Sequence, residues 1–192
     1  VFVGAEQLVA GDGYPYTPIL NDLVATPAMT PAQFGTAIVD RFGVSVSGPG
    51  GTLAAINSSQ LPQLATAVSD FAGTVIAAAA AAKNWPSISG SRDAAGYYEY
   101  SEYRDLKGFM NGVAADHTDA AIKAKAQAVV DVFNGGLVIR NFSDLGQNAN
   151  GLSIYYPDNA TAVDPDYSTA NILFAEKSWD EFLAQWVSAN IP

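Results

Sequence analysis

Apolar residues follow two rhythms along this chain of 192 residues. Short runs with little polar interruption carry β-branched and aromatic residues, which predicts strands. They are VFVGAE (1–6), TLAAIN (52–57), LVIRNF (137–142) and GLSIYYP (151–157), the first read as a buried strand. Longer stretches repeat apolar positions every three or four residues, which predicts helices. The first is 16–27, with Ile19, Leu20, Leu23 and Val24 closed by Pro27. It is followed by 30–43 and by 58–83, the latter with Leu64, Val68, Phe71 and Val75. Two more lie at 103–116 and 118–136, and the last falls within 171–190, where Trp179, Phe182, Leu183 and Trp186 mark one face.

Several ends are signalled as well. Thr30 is a candidate N-cap with Pro31 at the first helical position, Gln33 completing a capping box and Gly43 just past the end. Thr118 and Gly135 bracket the helix 118–136 in the same way. Residues 84–103 show no period and are rich in Ser, Gly and Tyr. Strands and helices therefore alternate, with connections long enough for crossovers, so the expected fold is α/β: a layered sheet with antiparallel strands near the end. A chain of this length forms one domain, 1–192, and no repeat or linker divides it.

Charge narrows the partners. With 19 Asp plus Glu against 9 Lys plus Arg, the net −10 chain has no basic run to displace counterions from a phosphate backbone, which excludes nucleic acid. The same excess disfavours an anionic membrane surface and suits a basic peptide. The longest apolar run, 71–82, is mostly alanine and too short to cross a bilayer. There is no cysteine, so the chain itself holds no disulfide, thiolate metal site or thiol nucleophile. The single histidine, His117, excludes a multi-histidine zinc site, and its place just before a candidate N-cap predicts a solvent-exposed helix start.

Other motifs read more plainly as structure. SGPGG (47–51) lacks the Gly-Lys-Ser/Thr of a phosphate loop, and VDPDYS, with Asp164 and Asp166, lacks the full calcium-loop pattern and reads as a turn. YYEYSEYRD (97–105) is either a tyrosine-rich binding rim or a half-buried approach to a helix. AGDGYPY (10–16) places Asp12 between two glycines directly after a strand. Asp-Gly is a common turn dipeptide, and the carboxyl end of a strand in an α/β sheet is where ligands bind, so both readings stand.

Taken in order, VFVGAE with AGDGYPYTPIL (10–20), TLAAIN, YRDLKGFM (103–110), GLSIYYP and SWDEFLAQW (178–186) resemble the clostripain family of cysteine endopeptidases. In that family a strand ending Ser-Glu precedes Pro-Gly-x-Gly-Trp-Pro-Tyr; here Ala5 stands for the serine and Tyr14 for the tryptophan. The later stretches are similar to Thr-Leu-Ser-Ala-Ile-Asp, Tyr-x-Asp-Leu-x-x-Phe, Gly-Leu-Ser-Ile-Tyr-Phe-Pro and a closing Trp-x-x-Phe-Leu helix.

The resemblance implies a caspase-like central sheet flanked by helices, of which this chain would form the C-terminal part. The family's histidine and cysteine lie upstream of the Ser-Glu strand, and His117 sits in a different segment. No catalytic residue is therefore expected here, and an upstream chain or segment would supply the dyad. Cleavage after arginine or lysine makes a basic peptide the expected substrate, with Asp12, Tyr14 and Glu6 the substrate-binding candidates. No cofactor is required, calcium is the one ion left open, and the expected location is secreted or cell envelope. The alternative is a catalytically inactive caspase-like binding module of a secreted or surface protein.

Overall fold

The computed structural model describes residues 1–9, 11, 13–45, 51–78, 83–144, 149–169 and 177–189. Among them are five strands: β1 (Phe2–Gly4), β2 (Thr52–Ile56), β3 (Tyr103–Asp105), β4 (Val138–Ser143) and β5 (Ser153–Tyr155). The helices are α1 (Tyr16–Ala25), α2 (Pro31–Ser45), α3 (Leu61–Ala77), α4 (Trp85–Ala94), α5 (Leu106–Asp116), α6 (Ala120–Val132), α7 (Pro165–Thr169) and α8 (Trp179–Ser188). None is long and apolar enough to cross a membrane.

β2 lies in the middle of a three-stranded sheet, antiparallel to β1 on one side and to β4 on the other. All five of its residues are buried, and the period of two divides them between two cores. Leu53 and Ala55 pack with Val39 and Phe42 of α2. Ala54 and Ile56 face the larger core, where Phe71 (α3), Phe109 (α5), Val129 (α6) and Trp186 (α8) meet. The result is a mixed α/β fold with helices on both faces of a small sheet. The predicted crossovers do not yield parallel neighbours, since every strand pairing among the described residues is antiparallel.

β1 is a strand, but not a buried one. Among the described residues it pairs only with β2, and Phe2 is 57% exposed beside the exposed Val1. LVIRNF and GLSIYYP both supply strands, yet in different sheets: β4 joins β2, while β5 pairs with β3. The stretch 84–103, read as irregular, contains α4. Its period is hidden because its packed face uses Ile88, Ser91 and Arg92, with the Ser91 Cβ 3.0 Å from where a Cβ on Gly112 of α5 would stand. The predicted helix 103–116 begins three residues late, because Tyr103–Asp105 is β3 and Asp105 caps α5.

The capping box is formed, with the Thr30 N–H donating to Gln33 Oε1 at 2.8 Å and the Gln33 N–H to Thr30 Oγ1 at 3.3 Å. α2 nevertheless runs past Gly43 to Ser45; Gly43 leaves room for the Phe142 ring, whose edge is 2.6 Å from where a Cβ would lie. α6 is capped by Asp119 rather than Thr118, its carboxylate accepting from the N–H groups of Ala121 and Ile122. The chain turns out of that helix at Gly136, φ 97°, one residue after the predicted Gly135.

Candidate functional site

Four of the stretches singled out in the sequence converge on one point. Thr52, at the start of β2, is buried, and its hydroxyl accepts from the backbone N–H groups of Glu6 (3.0 Å) and Gln7 (2.9 Å). That holds the chain leaving β1 against β2 and turns Glu6 inward. Oε2 of Glu6 accepts from the Gly151 N–H at 2.8 Å. Gly151 has φ 101°, a region that disfavours side chains, and a Cβ on it would stand 3.0 Å from the Ala54 Cβ.

Asp105, the last residue of β3, is fully buried. Its Oδ1 accepts from the Gly108 N–H in the first turn of α5 (2.5 Å) and from Asn150 Nδ2 (2.9 Å). Its Oδ2 accepts from the Asn150 N–H at 2.7 Å. The Glu6 and Asp105 carboxyls neighbour each other, and the Tyr98 hydroxyl lies beside both. Glu6, Thr52, Asp105 and Gly151 thus draw VFVGAE, TLAAIN, YRDLKGFM and GLSIYYP into one buried polar cluster.

The pair holds one proton at neutral pH. Burial, and then the charge of Asp105, push the Glu6 carboxyl up to about 8. Burial raises Asp105 too, against the opposing pull of its N–H donors. The proton belongs on Glu6. Asp105 accepts three N–H bonds, which favour its charged form, whereas Glu6 accepts one and leaves Oε1 with no donor. A protonated Oε1 is itself the donor that Asp105 can accept. Burial and the two carboxyls raise the Tyr98 hydroxyl above the usual phenol range, so it stays protonated.

Chemically this is a neutral acid beside a carboxylate, enclosed, with the carboxylate of Asp105 fully supplied with donors. It fastens residues 5–9 to both sheets, and Gln7 extends the fastening by accepting the Glu99 N–H at 2.8 Å. Tyr14 secures the other end of the following loop, its ring 5.8 Å from Phe42 of α2 and 6.3 Å from Tyr16. With Val3, Ile19, Phe34 and Ile38 these tyrosines line an open apolar groove of about 320 Å³. Asp12 lies outside the described residues, between these two anchored positions. SGPGG falls there as well except for Gly51.

The remaining candidates are structural. His117 is buried, not exposed: its Nδ1 accepts the Asp119 N–H at 3.0 Å, so Nε2 carries the proton and donates to the Lys83 carbonyl at 2.9 Å. Asp164 forms the turn expected of it, its carboxylate accepting the Asp166 N–H at 2.9 Å. Of the crowded tyrosines, Tyr97, Tyr100 and Tyr103 are exposed and Tyr98 is buried at the acid pair.

Tyr98 and Asp105 fall in the tyrosine-rich stretch 97–105 that the sequence reads as a rim or a helix approach, not as a buried acid pair, and Asn150 was not singled out. An Asp immediately before an apolar-periodic helix is an N-cap signal, and it was masked by starting that helix at Tyr103. Among the described residues no group of three His, Asp or Glu side chains is placed to hold a metal ion. The family model described as the clostripain family matches residues 1–186. A search of curated proteins found no match.

Proposed function

The chain belongs to the clostripain family of cysteine peptidases, and from that premise we propose that it is the C-terminal portion of an endopeptidase cleaving after basic residues. It completes the sheet and one wall of the substrate cleft, while an upstream segment supplies the cysteine and the histidine that activates it. The observation that carries this reading is a family match over nearly the whole of a chain without a cysteine, whose family-like stretches meet in the Glu6–Asp105 cluster. A free thiol is weakly nucleophilic near neutrality, so the missing nucleophile also needs its base.

Asp12 is the proposed partner of a substrate guanidinium or ammonium. Its loop is fixed at both ends, by Glu6 and Gln7 on one side and by Tyr14 on Phe42 on the other. An aimed carboxylate can form a bidentate pair with arginine. Tyr14 adds an aromatic edge to that wall. Glu6, with its carboxyl turned onto Asp105, serves by positioning this loop. The net charge of −10 favours approach of a basic peptide. The exposed apolar edge of β1 suits pairing with an upstream strand. Calcium enters no step, and a secreted or cell-envelope location accords with the proposed activity.

A second reading, an inactive binding module, is favoured by Ala5 and Tyr14 standing where the family has serine and tryptophan. The two readings part at Asp12. In the complete peptidase Asp12→Asn is expected to lower kcat/KM on arginine and lysine reporters at least about tenfold, about 1.4 kcal/mol of transition-state binding, with little change in stability. Unchanged kinetics would remove Asp12 from the substrate site. A complete protein that turns over neither reporter would favour the binding module.

A further inference from the structure

The face of β3 opposite Asp105 carries a second buried charge. Arg104 pairs across the sheet with Ile154 and is 7% exposed. Its guanidinium lies 4.8 Å from the centre of the Tyr97 ring, yet its buried Nε has no hydrogen-bond partner, and Arg104 forms no ion pair among the described residues. The neighbouring Arg92 of α4, 2% exposed, is satisfied by contrast. Its Nε donates to the Tyr156 carbonyl at 3.1 Å, its Nη1 to Asp93 at 2.7 Å, and its guanidinium sits 5.4 Å from the Tyr156 ring centre.

The Tyr156 hydroxyl is also buried without a partner. Two donors near Arg92 therefore lack an acceptor. The carboxylates whose charge reaches Arg104 are Asp93 and Asp158. Asp93 is engaged with Arg92, and Asp158 accepts the Ala160 N–H at 3.0 Å. Buried charges are otherwise paired or hydrogen-bonded, and an orphaned buried donor calls for an explanation.

We propose that Arg104, backed by Arg92 and covered by Tyr97, is a binding site for a small oxyanion. A guanidinium offers a planar fork that matches two oxygens of a carboxylate, phosphate or sulfate. Burial and the charge of Arg92 both lower the hold of Arg104 on its proton, and a bound anion would relieve both effects. The site lies on the opposite face of β3 from the Glu6–Asp105 cluster and does not depend on peptidase activity.

The test is calorimetric titration of the chain with sodium phosphate, sodium sulfate and sodium acetate against sodium chloride at matched ionic strength. Saturable binding of phosphate or sulfate identifies a tetrahedral oxyanion site, and saturation by acetate a carboxylate site; either result supports the proposal. Arg104→Gln should weaken that binding at least tenfold, while Arg140→Gln, at an exposed ion pair with Asp40, leaves it unchanged. Should Arg104→Gln fail to fold, the Arg104 Nε–H resonance of the wild-type chain gives the same answer, since it should move and saturate with the anion. No saturable binding beyond chloride, equal binding by folded Arg104→Gln, or an unmoved Nε–H resonance overturns the site.

Discussion

Asp105→Ala is expected to cost the fold about 3 kcal/mol, the sum of a lost helix cap at about 1 kcal/mol and of buried N–H groups left without an acceptor at about 1–3 kcal/mol. The Gly108 N–H, the Asn150 N–H and the Asn150 side chain all lose their partner at once. Removing the charge that faces Glu6 offsets a part of this, since that carboxyl no longer meets a neighbouring anion. For a domain of this size the loss corresponds to a Tm lower by about 6–12 °C. Asp105→Asn should fall between the two, because its oxygen can still accept from Gly108 while its amide opposes the Asn150 N–H. Calorimetry on the two variants checks this. A Tm for Asp105→Ala within about 2 °C of wild type would mean that the cluster is not what joins the two sheets.

The second large effect is a stability that falls as pH rises. An unfolded glutamate releases its proton near 4.5, whereas Glu6 in the fold keeps it up to about 8. Across that window the native chain binds more protons than the unfolded one, so stability decreases with pH, by about 1 kcal/mol per unit. The raised Asp105 acts in the same direction, and Tyr98 stays protonated throughout. Urea unfolding at pH 5, 6, 7 and 8 should therefore lose about 3 kcal/mol overall. Glu6→Gln copies the protonated form: its oxygen accepts from Gly151 and its amide can donate to Asp105. It should match wild type near pH 5, exceed it at pH 8 and flatten the profile. A wild-type stability that rises from pH 5 to 8, or an unchanged slope in Glu6→Gln, would contradict the shared-proton pair.

What could be read from the sequence was whatever local pattern alone decides. The strand β2, the capping box of α2 and the aromatic face of α8 follow from period and end chemistry, and all three are present. What escaped depended on partners distant in the chain. β1 has the composition of an interior strand, and only pairing shows it to be an edge. α4 packs through Ser91 against Gly112, a contact with no apolar signature. His117 reads as a surface residue until Lys83 supplies the carbonyl that accepts its proton.

The acid cluster shows the same division. Glu6 was singled out through the family resemblance, but Asp105 and Gly151 meet it across separations of 99 and 145 positions (105 − 6 and 151 − 6). No local pattern reports such a meeting. The orphaned donors of Arg104 and Tyr156 are likewise invisible until burial and pairing are both known.

Most direct is an assay of arginine- and lysine-reporter cleavage by the 192-residue chain, alone and assembled with the segment encoded immediately upstream. The expected result is no turnover by either part alone, turnover by the assembly, and loss of it on alkylation of a single cysteine in the upstream segment. Turnover by this chain alone, proven free of any other polypeptide by mass spectrometry, would contradict a dyad supplied from upstream, and so would an assembly that holds both a cysteine and a histidine yet cleaves neither reporter.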